Sequence, residues 1–196
     1  MKIKLGLVID IVVFQTAWFA CVFSSLSSFP LLLPLIGLLT VSIRSIYMRG
    51  VFVLLPFVFS SLLMGLVGDA LLVKMGFIAF TDYPSVLGVP YWMLILWLNF
   101  GLMLRPLFEW FLEHFWRALV GFSIGGAIAY FSGHKLEVLT FTKGWQSTLA
   151  VGVEWAIAGI AFHYLHLQFC TKMRQSHYEY LSLIPISEPT RPSQIS

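Results

Sequence analysis

Charged residues are scarce in this chain. Asp, Glu, Lys and Arg make up 11% of its 196 residues, against roughly 25% in a water-soluble domain. Such a chain cannot cover a globule with a polar surface, which excludes an ordinary soluble fold. Cysteine is nearly missing as well. The two present, Cys21 and Cys170, rule out a disulfide-framed scaffold and any four-cysteine metal site. No run of basic residues interleaved with aromatics occurs, so the net charge of +3 does not describe a nucleic-acid surface. No glycine-rich loop is followed by Lys-Ser/Thr, which excludes a P-loop.

What is present is apolar. Hydrophobic residues account for 59% of the chain and the mean hydropathy is +0.87. A helix needs about 20 apolar residues to cross the hydrocarbon core. Six segments qualify, at approximately 5–25, 30–46, 51–73, 91–108, 115–132 and 147–169. The expected fold is therefore all-α: a single polytopic membrane domain over residues 1–180 with about six transmembrane helices. The second segment is the shortest and carries Pro34, so it reads either as a full span or as a tilted or re-entrant one.

Orientation follows from the distribution of Lys and Arg. With the N-terminus in the cytoplasm, Lys2, Lys4, Arg44, Arg49, Arg105, Arg117, Lys172 and Arg174 fall on that side, and Lys74, Lys135 and Lys143 on the other. Both termini are thus expected to be cytoplasmic. "WFAC" at 18–21 does not read as a lipoprotein cleavage site, because Trp18 and Phe19 are bulky and Asp10 interrupts the apolar run. Residues 181–196, "LSLIPISEPTRPSQIS", have no periodicity and hold three prolines. They read as a non-native tail resembling translated sequencing-adapter read-through, or else as a disordered end.

A charge at a helix centre costs about 2.5–3.5 kcal/mol on insertion scales, so the few polar residues inside the spans are informative. Ser61, Gly65 and Asp69 are four apart and share one helix face, which small residues mark as a packing surface. Glu154 shares its face with Ala158 and Ala161. Asp69, Glu154, Asn99 and Gln15 form the candidate intramembrane polar pocket, and the alternative is that they are interhelical hydrogen-bonding groups. Asp10 and Arg105, at similar depth, form the candidate structural ion pair. Gly121, Gly125, Ala129 and Gly133 recur every fourth residue and form the candidate helix-packing ladder, with Phe122 facing away from it.

No catalytic constellation emerges. His163 and His166 are three apart while Glu154 lies on the opposite face of the same helix, so no zinc site is expected. The reading is a non-enzymatic protein with no cofactor and no metal. Its expected partners are the lipid bilayer and other membrane proteins, not nucleic acid.

Four stretches, "FQTAWFACV" (14–22), "GLVGDALLVKMGF" (65–77), "LWLNFGLMLRPLFEW" (96–110) and "GGAIAYFSGHKL" (125–136), arrive in an order that resembles the bacterial inner-membrane family called domain of unknown function 2878. The resemblance implies a multi-pass inner-membrane protein without an assigned activity, in a lipid-modifying context. The leading expectation is an accessory role in membrane lipid modification. The alternative is a small solute-binding or transport subunit, similar to the substrate-capture subunits of energy-coupling-factor transporters.

Overall fold

A computed structural model describes residues 5–182 except 25, 26, 28, 29 and 82, with side chains as far as residue 175. Apolar segments in a bilayer must satisfy their backbone polar groups internally, and short of a closed barrel they do so as helices. The described residues form six: α1 (Leu5–Ser24), α2 (Leu32–Arg49), α3 (Val51–Lys74), α4 (Tyr91–Leu112), α5 (Phe115–Lys135) and α6 (Trp145–Ser182). Five are long and apolar enough to cross a membrane. The exception is α5, whose 21 residues suffice in length but are diluted by glycine, serine and Arg117. The fold is all-α and polytopic.

Pro34 sits in the first turn of α2, where its missing N–H removes no helical bond, and α2 runs unbroken through 18 residues. The 38 residues of α6 span about 57 Å at 1.5 Å each, well beyond the roughly 30 Å hydrocarbon core. This helix ends at Ser182, just past the boundary expected at 180. The remainder of the expected tail, 183–196, lies outside the described residues, as do Lys2 and Lys4.

The bundle is organised around α4. Over half of its membrane window is buried (56%), against 22–33% in the other four long apolar helices. It packs against α1, α2 and α3 on one side and α5 and α6 on the other. α5 and α6 form the most extensive helix pair. Gly159 sits on the Ala118 carbonyl and Phe122, and Gly152 sits on Ser123.

One end of the bundle is tied by short strands. β1 (Ile78–Phe80) pairs antiparallel with β4 (Leu139–Phe141), joining the α3–α4 and α5–α6 connections. Between them β2 (Ser85–Val86) and β3 (Val89–Pro90) make a hairpin. Its two turn residues, Leu87 and Gly88, both take positive φ, the geometry that matches strand twist in two-residue loops. The Tyr83 hydroxyl donates to the Pro30 carbonyl, which brings the α1–α2 connection to this same hairpin end. Arg44, Arg49, Arg105 and Arg117 belong to the opposite, arginine end.

Strand pairing thus makes the connections 75–90 and 136–144 neighbours on one side of the membrane. Reporter fusions within 80–88 and 136–144 are expected to report the same compartment, and fusions after Arg49, Arg117 and Arg174 the other. A split between the first two fusions would break the six-helix topology.

Candidate functional site

The polar centre of the bundle is Asp69. It is fully buried and each carboxyl oxygen has one donor: Tyr130 Oη to Oδ1 at 2.5 Å and Trp97 Nε1 to Oδ2 at 2.9 Å. Three helices meet at one side chain. The donors come from α5 and α4, the acceptor from α3.

The local sequence explains how Trp97 reaches it. A side-chain carbon on Gly65 would overlap the Trp97 ring, so only glycine leaves the indole room to lie on α3. Ser61, one turn earlier, donates to the Trp97 carbonyl at 2.7 Å. The face Ser61–Gly65–Asp69 is therefore the α3–α4 contact surface. On its other side Trp97 stacks on Trp155 of α6, with ring centroids 4.7 Å apart and planes inclined by 23°. Trp155 in turn lies on Gly126 of α5, where an added carbon would again enter the ring.

Glu154 precedes Trp155 and turns toward α3. Its carboxyl occupies the notch left by Gly68, where an added carbon would collide with Oε1. That places it against the residue that precedes Asp69 on α3. Both Glu154 oxygens are buried and neither has a hydrogen-bond partner. Glu154 also lines a cavity of about 740 Å³ between α3 and α6, whose rim at the hairpin end carries Lys143 and Gln146.

The four residues expected to share one pocket divide between separate places. Asp69 and Glu154 come together. Asn99 is buried at the α1–α4 contact, its amide facing Cys21 Sγ at 3.8 Å, and Gln15 is exposed on the wall of a separate groove. Helix depth placed all four in one layer, but depth carries no information about azimuth.

The expected Asp10–Arg105 pair is not formed. Asp10 is clasped by Arg44 Nε at 2.7 Å and Arg49 Nη2 at 3.1 Å, one arginine per carboxyl oxygen. Asp10 and Arg44 stand at mirrored distances from the α1–α2 connection, so an antiparallel hairpin brings them together. Arg105 instead pairs with Glu109 at 3.0 Å, one turn along α4, and lies over the Phe169 ring at 4.7 Å.

The expected packing ladder on α5 is only partly used for packing. Nothing lies within 4 Å of a carbon added at Gly125, whereas Gly121 faces Phe111 of α4 and Gly133 faces Val138 and Leu139. The seam with α6 runs one residue over, through Ala118, Phe122 and Gly126. Phe122, expected to face outward, is buried. Small residues occupy two adjacent stripes of this helix, and spacing alone does not tell which of them meets α6.

The displaced ladder has a different role. Gly121, Gly125 and Ala129 form one wall of a groove of about 810 Å³, with Phe14, Gln15, Trp18 and Phe19 of α1 opposite and Met93, Trp97, Phe100 and Phe108 of α4 as its floor. Ser132 and Lys135 close its hairpin end, and Lys135 Nζ sits 5.3 Å from the Phe131 ring centroid.

Tyr130 and Trp97 were not singled out by sequence reasoning. A signal existed: both are aromatic residues with a polar tip, and such groups find a partner when buried. The Asp69 contacts predict a graded response. Asp69→Asn keeps a group able to bond both neighbours and is expected to leave detergent-solubilised thermal stability nearly unchanged. Asp69→Leu strands the Tyr130 hydroxyl and the Trp97 N–H, each costing about 1–3 kcal/mol. The melting temperature of Asp69→Leu should fall well below that of Asp69→Asn, and equal melting of the two variants would show that the bonds do not support the bundle.

A family model described as "Protein of unknown function (DUF2878)" matches residues 7–161. No curated protein and no solved structure matches the chain. The match runs from α1 to residue 161 of α6, and so includes Asp69, Trp97, Tyr130, Glu154 and the groove walls. The chain belongs to the DUF2878 family.

Proposed function

We propose that this protein binds a membrane lipid in the groove between α1 and α5, and that it serves as an accessory component of lipid modification in a bacterial inner membrane, with its arginine end in the cytoplasm. The observation that carries this reading is the groove itself. Its walls are aromatic and aliphatic, and from Gly121 to Lys135 it extends about 21 Å along α5 at 1.5 Å per residue, longer than the roughly 15 Å of one leaflet's hydrocarbon. An acyl chain matches such a surface, since small residues on one wall and large rings on the other leave a channel of chain width. Lys135 and Ser132 stand at the end where a headgroup would lie, and an ammonium held there suits an anionic phosphate.

The reading as a solute-capture subunit has less support. A polar solute needs several converging polar groups in one cavity, and Asp69, Asn99 and Gln15 are dispersed. The arginine excess at the α2, α4 and α5 termini of one end supports the proposed orientation.

Gly125→Leu separates lipid binding from folding. Gly125 faces open groove, so leucine there should leave yield and helix content unchanged while reducing the lipid that co-purifies in mild detergent, measured by native mass spectrometry. Gly126→Leu, which drives into Trp155, should instead collapse the yield. Lys135→Gln should weaken anionic-lipid binding about fivefold, corresponding to about 1 kcal/mol for one cation near an anionic surface. Lipid content that is unaffected by both Gly125→Leu and Lys135→Gln would end the groove reading. The accessory role is tested separately, by comparing lipid profiles of a deletion strain and its parent.

A further inference from the structure

The lipid groove makes no use of Glu154, which lies between α6 and α3 with no hydrogen-bond partner on either oxygen. We propose that Glu154 is a proton-binding site within the membrane, holding its proton as a neutral acid against the Gly68 notch of α3.

The two carboxyls are differently equipped. Asp69 receives a donor on each oxygen, from Tyr130 at 2.5 Å and Trp97 at 2.9 Å. Bonds to the charged form stabilise it, and donors on both oxygens suit a carboxylate. Glu154 receives none on either oxygen. An ionised carboxylate stripped of water and given no donor bears a large desolvation cost, which a group in that position relieves by taking up a proton. Repulsion adds to this, because two negative charges in electrostatic contact disfavour one another.

The surroundings supply no counter-charge among the described residues. The elements packed here contribute Asp69 and Gly68 from α3, Trp97 from α4, Tyr130 from α5 and Trp155 beside Glu154. Tyr130 lies within electrostatic reach of both carboxyls. The arginines that pair with acids, Arg44, Arg49 and Arg105, are engaged at the other end. Lys143, on the rim of the adjoining cavity, is held by the Met75 carbonyl at 2.9 Å and over the Phe77 ring at 4.3 Å. A metal ion is a poor alternative: the contacts made here are to indole, phenol and glycine, and a hard cation takes about six oxygen ligands.

Glu154 lines the 740 Å³ groove between α3 and α6 that reaches Lys143 and Gln146 at the hairpin end. Loss of the proton would leave an uncompensated charge in the Gly68 notch.

Infrared spectroscopy of the full chain in lipid nanodiscs near neutral pH tests the assignment. A carbonyl stretching band of a protonated carboxylic acid is expected. It should shift in D₂O, vanish in Glu154→Gln and persist in Asp69→Asn. Absence of the band in the unsubstituted protein, its survival in Glu154→Gln, or its loss in Asp69→Asn would each overturn the proposal. If Glu154→Gln does not fold, an apolar carbodiimide, which reacts with protonated carboxyls, is applied to the unsubstituted chain and mapped by mass spectrometry. Labelling of Glu154 supports the assignment, and labelling of Asp69 or of neither residue overturns it.

Discussion

Two stacked indoles connect four of the six helices. Trp97 of α4 lies on Gly65 of α3, Trp155 of α6 lies on Gly126 of α5, and the two rings stack at 4.7 Å. In lipid there is no hydrophobic force between helices, and association depends on close packing and interhelical hydrogen bonds. The stack supplies the first and presents an N–H for the second. An aromatic pair is worth about 0.5–1.5 kcal/mol beyond the area it buries. The glycines contribute by what they leave out, since any side chain at either position would enter a ring. The Asp69 bonds depend on this arrangement, because Trp97 Nε1 reaches the carboxylate only while its ring is held flat against α3.

The two ends of the bundle are secured by different means. At the arginine end Asp10 is shared between Arg44 and Arg49, whose side chains remain partly exposed while the carboxylate is buried. Long cationic side chains can do this, because their stems lie along apolar surface while the charged head reaches toward water. At the hairpin end backbone pairing between β1 and β4 joins two connections that are far apart in sequence. Ser147 and Thr142 reinforce it, donating to the Phe77 and Gly76 carbonyls at 2.5 Å each. Polar backbone outside the helices is thus satisfied at the level where the chain leaves the hydrocarbon.

Much of this architecture was legible in the sequence. Hydrophobic run length located six helices, and the four-residue spacing of Ser61, Gly65 and Asp69 identified the buried face of α3. What pattern could not provide was pairing across helices. Asp10 has candidate partners on several helices, and equal depth favoured Arg105 although the α1–α2 hairpin delivers Arg44. Gly121, Gly125 and Ala129 have the spacing of a packing ladder, yet the choice between that stripe and its neighbour is made by α6, whose Gly152, Trp155 and Gly159 fit the Ala118–Gly126 side. Tyr130 was hidden for a related reason. In "GGAIAYFSG" it reads as one more apolar residue, and it is the approach of α3 that gives its hydroxyl a carboxylate acceptor.

The two stripes of α5 show how one helix can serve packing and binding together. The stripe through Ala118, Phe122 and Gly126 meets α6 so closely that an added carbon at Gly126 would overlap a ring. The stripe through Gly125 and Ala129, turned by about 100° for a shift of one residue, becomes a groove wall, open at Gly125. A helix with small residues on one stripe alone would have to choose between them. The composition of α5 follows from this double demand, since small residues on both stripes dilute its apolar content enough that it is not among the five helices apolar enough to cross a membrane. That loss is tolerable because α5 is anchored along its length by α6 and, through Tyr130, by Asp69. A helix that falls short as an apolar span is therefore one whose two faces are both used.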